Sequence, residues 1–139
     1  MFDLFVFFDG KSYYNRNELK ARLGLDQQQK PNGEEIYSKK ERDSHFLIEF
    51  SNDLNDYSYS EDEINRIPYN VCGLCHIVFY PFDFIYDLLS VLIGFNDDLF
   101  VDDDHDNILS VCDYKDLLHN KKVYPFTYYS KDYFRNTKN

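Results

Sequence analysis

Tryptophan is absent from the 139 residues, methionine occurs once, and glycine and proline number only five and four. So few glycines leave little room for loops that cradle phosphate or expose a nucleophile, and no P-loop, G-x-S-x-G elbow or H-E-x-x-H pair is present. Cysteine is scarce and odd in number. Cys72, Cys75 and Cys112 do not make an extracellular disulfide framework, so reduced thiols are the expectation. Long apolar runs are missing as well: the longest, 84–95, is broken by Asp87 and Ser90 and falls short of a bilayer's thickness. Met1 to Gly10 carries Asp3 and Asp9 where a secretion signal carries Lys or Arg. A cytoplasmic protein with no membrane attachment is expected.

Positive charge is the other shortage, and it is local. Residues 49–119 hold 16 acidic side chains against two basic ones, Arg66 and Lys115, whereas 1–48 balance at eight of each and 120–139 hold one acidic and five basic. A surface of that sign repels nucleic acid and speeds encounters with basic proteins. Direct nucleic-acid binding is therefore not expected. A metal-dependent nuclease also needs cations to hold phosphate, and the acidic segment offers only those two. Nothing else in the chain points to catalysis, and the expectation is a binding protein that is not an enzyme.

What is abundant is aromatic surface: 13 Phe and 13 Tyr within a 43% hydrophobic composition, enough apolar area to exclude intrinsic disorder. The length suits one domain, 1–139, with a basic, aromatic tail over 120–139. Phe2 to Phe8 is nearly all apolar, which predicts a central strand covered on both faces. Asp9-Gly10 signals a turn. Asn17 is placed to cap a helix over 18–23 that Gly24 ends. Residues 25–44, with Pro31-Asn32-Gly33 inside, lack periodicity and read as a mobile excursion or irregular hairpin. His45 to Phe50 alternates as a strand, Ser60-Glu-Asp-Glu63 spells a capping box, and Pro68 stops the turn that follows.

His76 to Tyr80 predicts a third strand. The best helix, 83–93, presents Phe84, Ile85, Leu88, Leu89 and Leu92 on one face, with Gly94 as its end. Strands at 99–101 and 108–110 and a helix over 113–119 complete the pattern, and Tyr124, Phe126, Tyr128, Tyr129, Tyr133 and Phe134 lie in the tail. The order β-α-β-β-α-β predicts an α+β fold, a ferredoxin-like sandwich with a mixed or antiparallel sheet and its helices on one face.

Three patterns suggest ligands. Asp102, Asp104 and Asp106 match the first, third and fifth ligands of a calcium loop, with Leu109 as its apolar residue. Asn107 stands where glycine is usual, and Asp113 is too short for the closing bidentate Glu. The plainer reading is a solvated acidic turn. Cys72-Gly-Leu-Cys75-His76 spells the c-type haem attachment pattern, but Met1 is the only methionine available as second axial ligand. Cys72, Cys75 and Cys112 with His105 or His119 make a zinc set in number, without zinc-site spacing. Buried, reduced cysteines explain the same residues, and no cofactor is expected.

The segment Asp98 to Leu118, DLFVDDDHDNILSVCDYKDLL, combines a strand, an acidic turn, a short return and a closing helix. It resembles the ends of immunity proteins of bacterial polymorphic toxins, including those of contact-dependent growth inhibition systems. That resemblance implies a stoichiometric inhibitor whose partner is a toxin domain, often a basic nuclease. The expected contact surface is Asp53, Asp56, Tyr57, Tyr59, Glu61, Asp62 and Glu63, together with Asp97, Asp98, Asp102, Asp103, Asp104 and Asp106. The same charges suit a phage inhibitor of CRISPR or restriction enzymes whose carboxylates mimic DNA phosphates, and the 102–113 loop suits a calcium-binding module.

Overall fold

The computed structural model describes residues 1–29, 35–41, 44–105 and 107–128, with the strands over 26–44 described as backbone. Among them, seven strands make one antiparallel sheet: β1 (Phe2–Phe8), β2 (Asp26–Gln29), β3 (Glu35–Glu41), β4 (Ser44–Ser51), β5 (Gly73–Tyr80), β6 (Phe100–Asp102) and β7 (Ile108–Ser110), in the order β2-β3-β4-β5-β1-β6-β7. The α+β class holds. Strand count and order depart from the ferredoxin-like sandwich, because β1 sits between β5 and β6 with both neighbours antiparallel to it. Reading strands locally along the chain cannot anticipate that placement, since each pairing is made at long range.

β1 is an interior strand with a neighbour on each side, as its composition demands. Leu4, Val6 and Phe8 point to one face and Phe5 and Phe7 to the other, and all five are buried. Among the described residues, the first face carries four helices. These are α1 (Gly10–Tyr14), α2 (Arg16–Leu23), α4 (Phe84–Phe95) and α5 (Val111–His119), whose Leu19, Leu88, Leu92, Tyr114 and Leu118 pack onto the sheet. The second face is covered over part of its width by the connection from β4 to β5. This connection comprises a 3-10 turn (Leu54–Tyr57), the short α3 (Glu61–Asn65), and Ile67, Tyr69 and Val71. Helical structure is thus not confined to one face. A sheet with an interior strand that is nearly all apolar needs cover on both sides.

Local details follow the chemistry of caps. Asp9 opens α1 by accepting from Ser12 N–H at 2.7 Å, a helix start where a simple turn was expected. α2 begins at Arg16, so Asn17 lies inside it and accepts from Lys20 Nζ instead of capping, while Gly24 adopts φ 66° at its end. α4 runs one residue past Gly94 to Phe95. Part of the 25–44 stretch is an antiparallel hairpin, β2 on β3, and Pro31, Asn32 and Gly33 lie outside the described residues. The C-terminal segment reaches α6 (Phe126–Tyr128), with Phe126 packed edge-on against Phe82, and Tyr129, Tyr133 and Phe134 lie outside the described residues. Among the described residues no helix is long and apolar enough to cross a membrane.

Candidate functional site

Register brings Glu49 of β4, His76 of β5, Phe5 of β1, Asp102 of β6 and Ile108 of β7 into one row across the second face. The ring of His76 stacks on Phe5 at 4.4 Å, and its Nε2 lies 2.7 Å from Asp3 Oδ1. Tyr57 and Tyr59, from the covering segment, set their edges against Phe5. The Tyr57 hydroxyl donates to Glu49 Oε1 at 3.1 Å, and the Tyr59 hydroxyl donates to Asp102 Oδ2 at 2.6 Å. Two tyrosines therefore stand over the row with their polar tips on carboxylates, the arrangement an amphipathic ring requires when half-buried.

The acidic turn after β6 is more buried than its composition suggests. Asp102 and Asp103 are only 6% and 4% exposed. Asp102 Oδ1 accepts from Asp104 N–H, while Asp103 accepts from His105 N–H and the Asn107 side chain, each at 2.9 Å. Burial lifts both carboxyls above the ordinary aspartate value, against hydrogen bonds that pull them down. Burial, then Asp102 itself, raises the Tyr59 phenol far above the ordinary tyrosine value. Asp104 takes the left-handed conformation at φ 63°, which aspartate tolerates better than most residues, and stays exposed. His105 stacks on Tyr124 at 3.7 Å, tying the turn to the C-terminal segment.

These residues enclose a cleft of about 530 Å³. Among the described residues, Phe5, Tyr57, Tyr59 and Ile108 supply its apolar part, Asp62, Glu63, Asp102 and Asp104 its carboxylates, and Arg66 its one basic group. The capping box forms as expected: Glu63 N–H donates to Ser60 Oγ and Ser60 N–H to Glu63 Oε1. Those bonds hold Glu63 below the usual carboxylate range. A second cleft, of about 540 Å³, adjoins along β6 and β7. It is lined by Asp9, Asp97 and Asp98 around Tyr69, Phe100, Ser110 and Cys112.

The two acidic groups expected from sequence are therefore regrouped. Tyr57, Tyr59, Asp62 and Glu63 share the first cleft with Asp102 and Asp104, whereas Asp97 and Asp98 line the second. Asp53 caps the 3-10 turn by accepting from Asn55 N–H, and it and Glu61 stand outside both clefts. Asp103 lines neither cleft and bonds within its own turn. Asp106 and the side chain of Asp56 lie outside the described residues. Sequence reading passed over Asp9, Phe5 and Ile108. Alternation along β1 was the available signal for Phe5, and only strand pairing reveals the others.

Cys75 is buried on the helix face, where desolvation pushes its thiol well up, while Cys72 is exposed and Cys112 half-buried; all three are free. Asp113, the closing position of the calcium pattern, stands in the first turn of α5. It lies beyond Ser110, at the opposite end of β7 from the residue paired with Asp102. His119 ends α5 and is exposed. Among the described residues no group of three or more His, Cys, Asp or Glu side chains is placed to hold a metal ion. No protein-family model, curated protein or solved structure matches the chain.

Proposed function

We propose that this protein is a binding protein that neutralises a basic toxin domain in the cytoplasm, in the manner of an immunity protein, by occupying that domain with its acidic clefts. The observation that carries the reading is the first cleft, where tyrosine rings form the walls and carboxylates surround them. Aromatic anchors contribute most of the affinity at interfaces, and complementary charge raises the association rate and selects the partner. A nuclease domain that grips phosphate presents the positive surface such a site accepts. Asp102 and Asp103 are buried, which suits a shaped protein contact better than an exposed row of phosphate mimics.

The test is capture of the tagged protein from its native host, with bound chains identified by mass spectrometry, followed by affinity measurement. A basic toxin domain is the expected partner. Charge reversal at Asp62, Asp97 and Asp98 together is expected to weaken it at least about a hundredfold, mainly through slower association and a lost salt dependence. An affinity unchanged by that triple reversal overturns the reading. A CRISPR or restriction subunit as partner replaces the toxin with a phage-defence target.

A further inference from the structure

The two clefts lie one strand step apart along β7. Ile108 lines the first and Ser110 the second, and residues two apart on a strand project from one face about 7 Å from each other. β7 is also the last strand of the sheet, with no described strand beyond it. Its hydrogen-bonding phase is fixed by Val111 N–H, which donates to Leu99 O at 2.8 Å. Antiparallel pairs exchange bonds at every second position, so Leu109 exchanges with Val101. The backbone groups of Ile108 and the N–H of Ser110 accordingly face away from β6, toward the side where no described strand lies.

We propose that this edge receives an extended, basic segment of the partner, which pairs antiparallel with β7 as an added strand and places side chains at alternate positions in the two clefts. The proposal rests on the acidic-binding reading above and specifies how the partner is held. Main-chain bonds to the edge supply affinity, and alternate side chains supply selectivity. Charge selects the occupant. Among the described residues, Asp62, Glu63, Asp102 and Asp104 outnumber Arg66 in the first cleft, and Asp9, Asp97 and Asp98 meet no basic residue in the second. A second copy of this chain brings the same carboxylates and is repelled, and a strand of only three residues is the kind of edge that resists self-pairing. A strand with Arg or Lys at alternate positions meets complementary charge at both.

Calorimetric titration of the full chain with synthetic peptides tests this. The probe is an end-blocked Thr-Arg-Val-Arg-Val-Arg-Thr, compared with an isomer whose three arginines are contiguous. In an antiparallel pair, directly opposed residues share a face, so arginines lying opposite Ile108 and Ser110 also exchange the backbone bonds. The alternating peptide is expected to bind at least about tenfold more tightly than its isomer, and N-methylation of the arginine amides to remove that advantage while N-methylation of the valine amides leaves it. Equal binding of the two isomers, indifference to N-methylation, or no binding by either overturns the added strand. So does a dimer in sedimentation that peptide does not disperse, since the edge is then taken by a second copy. If the peptide ranking fails while charge reversal still weakens the captured partner, the docking edge falls alone; if charge reversal is also without effect, the binding reading falls with it.

Discussion

The Tyr59 hydroxyl donates to Asp102 Oδ2 at 2.6 Å, joining residues 43 apart in the chain and fastening the covering segment to β6. The acceptor belongs to a residue 6% exposed, so little water is at hand to replace the donor. Tyr59→Phe keeps the ring contacts with Phe5 and Phe7 and removes only the hydroxyl. A hydrogen bond to a charged group contributes about 1.5–3 kcal/mol, and a loss of that size in urea unfolding at neutral pH is the expected outcome. An unchanged midpoint would show that Asp102 finds another donor.

Tyr69 acts inside the sheet itself. Its hydroxyl donates to Phe7 O at 2.6 Å and accepts from Phe100 N–H at 2.9 Å, bridging residues that face each other across β1 and β6. Burial pushes this phenol up to about 12, so it keeps its proton at physiological pH. Tyr69→Phe leaves both backbone groups without the bridge, at a cost of about 1–3 kcal/mol. Hydrogen exchange at the Phe100 amide should accelerate by about tenfold or more, with smaller effects on β4. Equal acceleration throughout the sheet would instead report global destabilisation.

Gly73 explains the glycine of the haem-like pattern without any haem. A Cβ at that position would run into the Tyr13 ring, which lies over the start of β5. Gly73→Ala is expected to cost about 1–3 kcal/mol, the usual penalty for overpacking. Combining it with Tyr13→Ala, which opens the space, should return part of that loss in a double-mutant cycle; strict additivity would exclude the clash as the cause.

The raised carboxyls predict a specific pH dependence. Unfolded aspartate titrates near about 3.9, and burial places Asp102 and Asp103 above their ordinary value in the fold. Between those limits the folded state holds more protons than the unfolded one, so these groups favour folding at low pH and lose that contribution as pH rises through their folded pKa values. Relative to an Asp102→Asn, Asp103→Asn double variant, the wild type should gain stability as pH is lowered from about 7 into the carboxylate range. A flat difference between the two urea-midpoint curves would mean the carboxyls titrate as ordinary aspartates.

Legibility from sequence followed the range of the interactions. The capping box at Ser60 and Glu63, the apolar face of α4 and the nearly all-apolar Phe2 to Phe8 are set by residues a few positions apart, and each formed as its pattern implied. The acid-rich run after Val101 was legible as a turn. The burial of Asp102 and Asp103 was not, because it comes from Tyr59, Asn107 and the packing of distant elements. Both clefts combine residues from segments far apart in the chain, so a grouping based on sequence neighbours placed Asp97 and Asp98 with Asp102 and Asp104, which line the other cleft. Strand order was hidden for the same reason.

The place of β1 also bears on how the chain is made. Its seven nearly all-apolar residues precede both of their sheet neighbours, which begin only at Gly73 and Phe100. A ribosome releasing this sequence exposes β1 before either of its neighbours and supplies the last of them only when β6 has emerged. Pairing at such separation is slow and leaves unpaired apolar strands open to other chains. Yield during synthesis should therefore depend on how quickly the segment from β5 to β6 follows, a demand set by the position of one strand in the sheet.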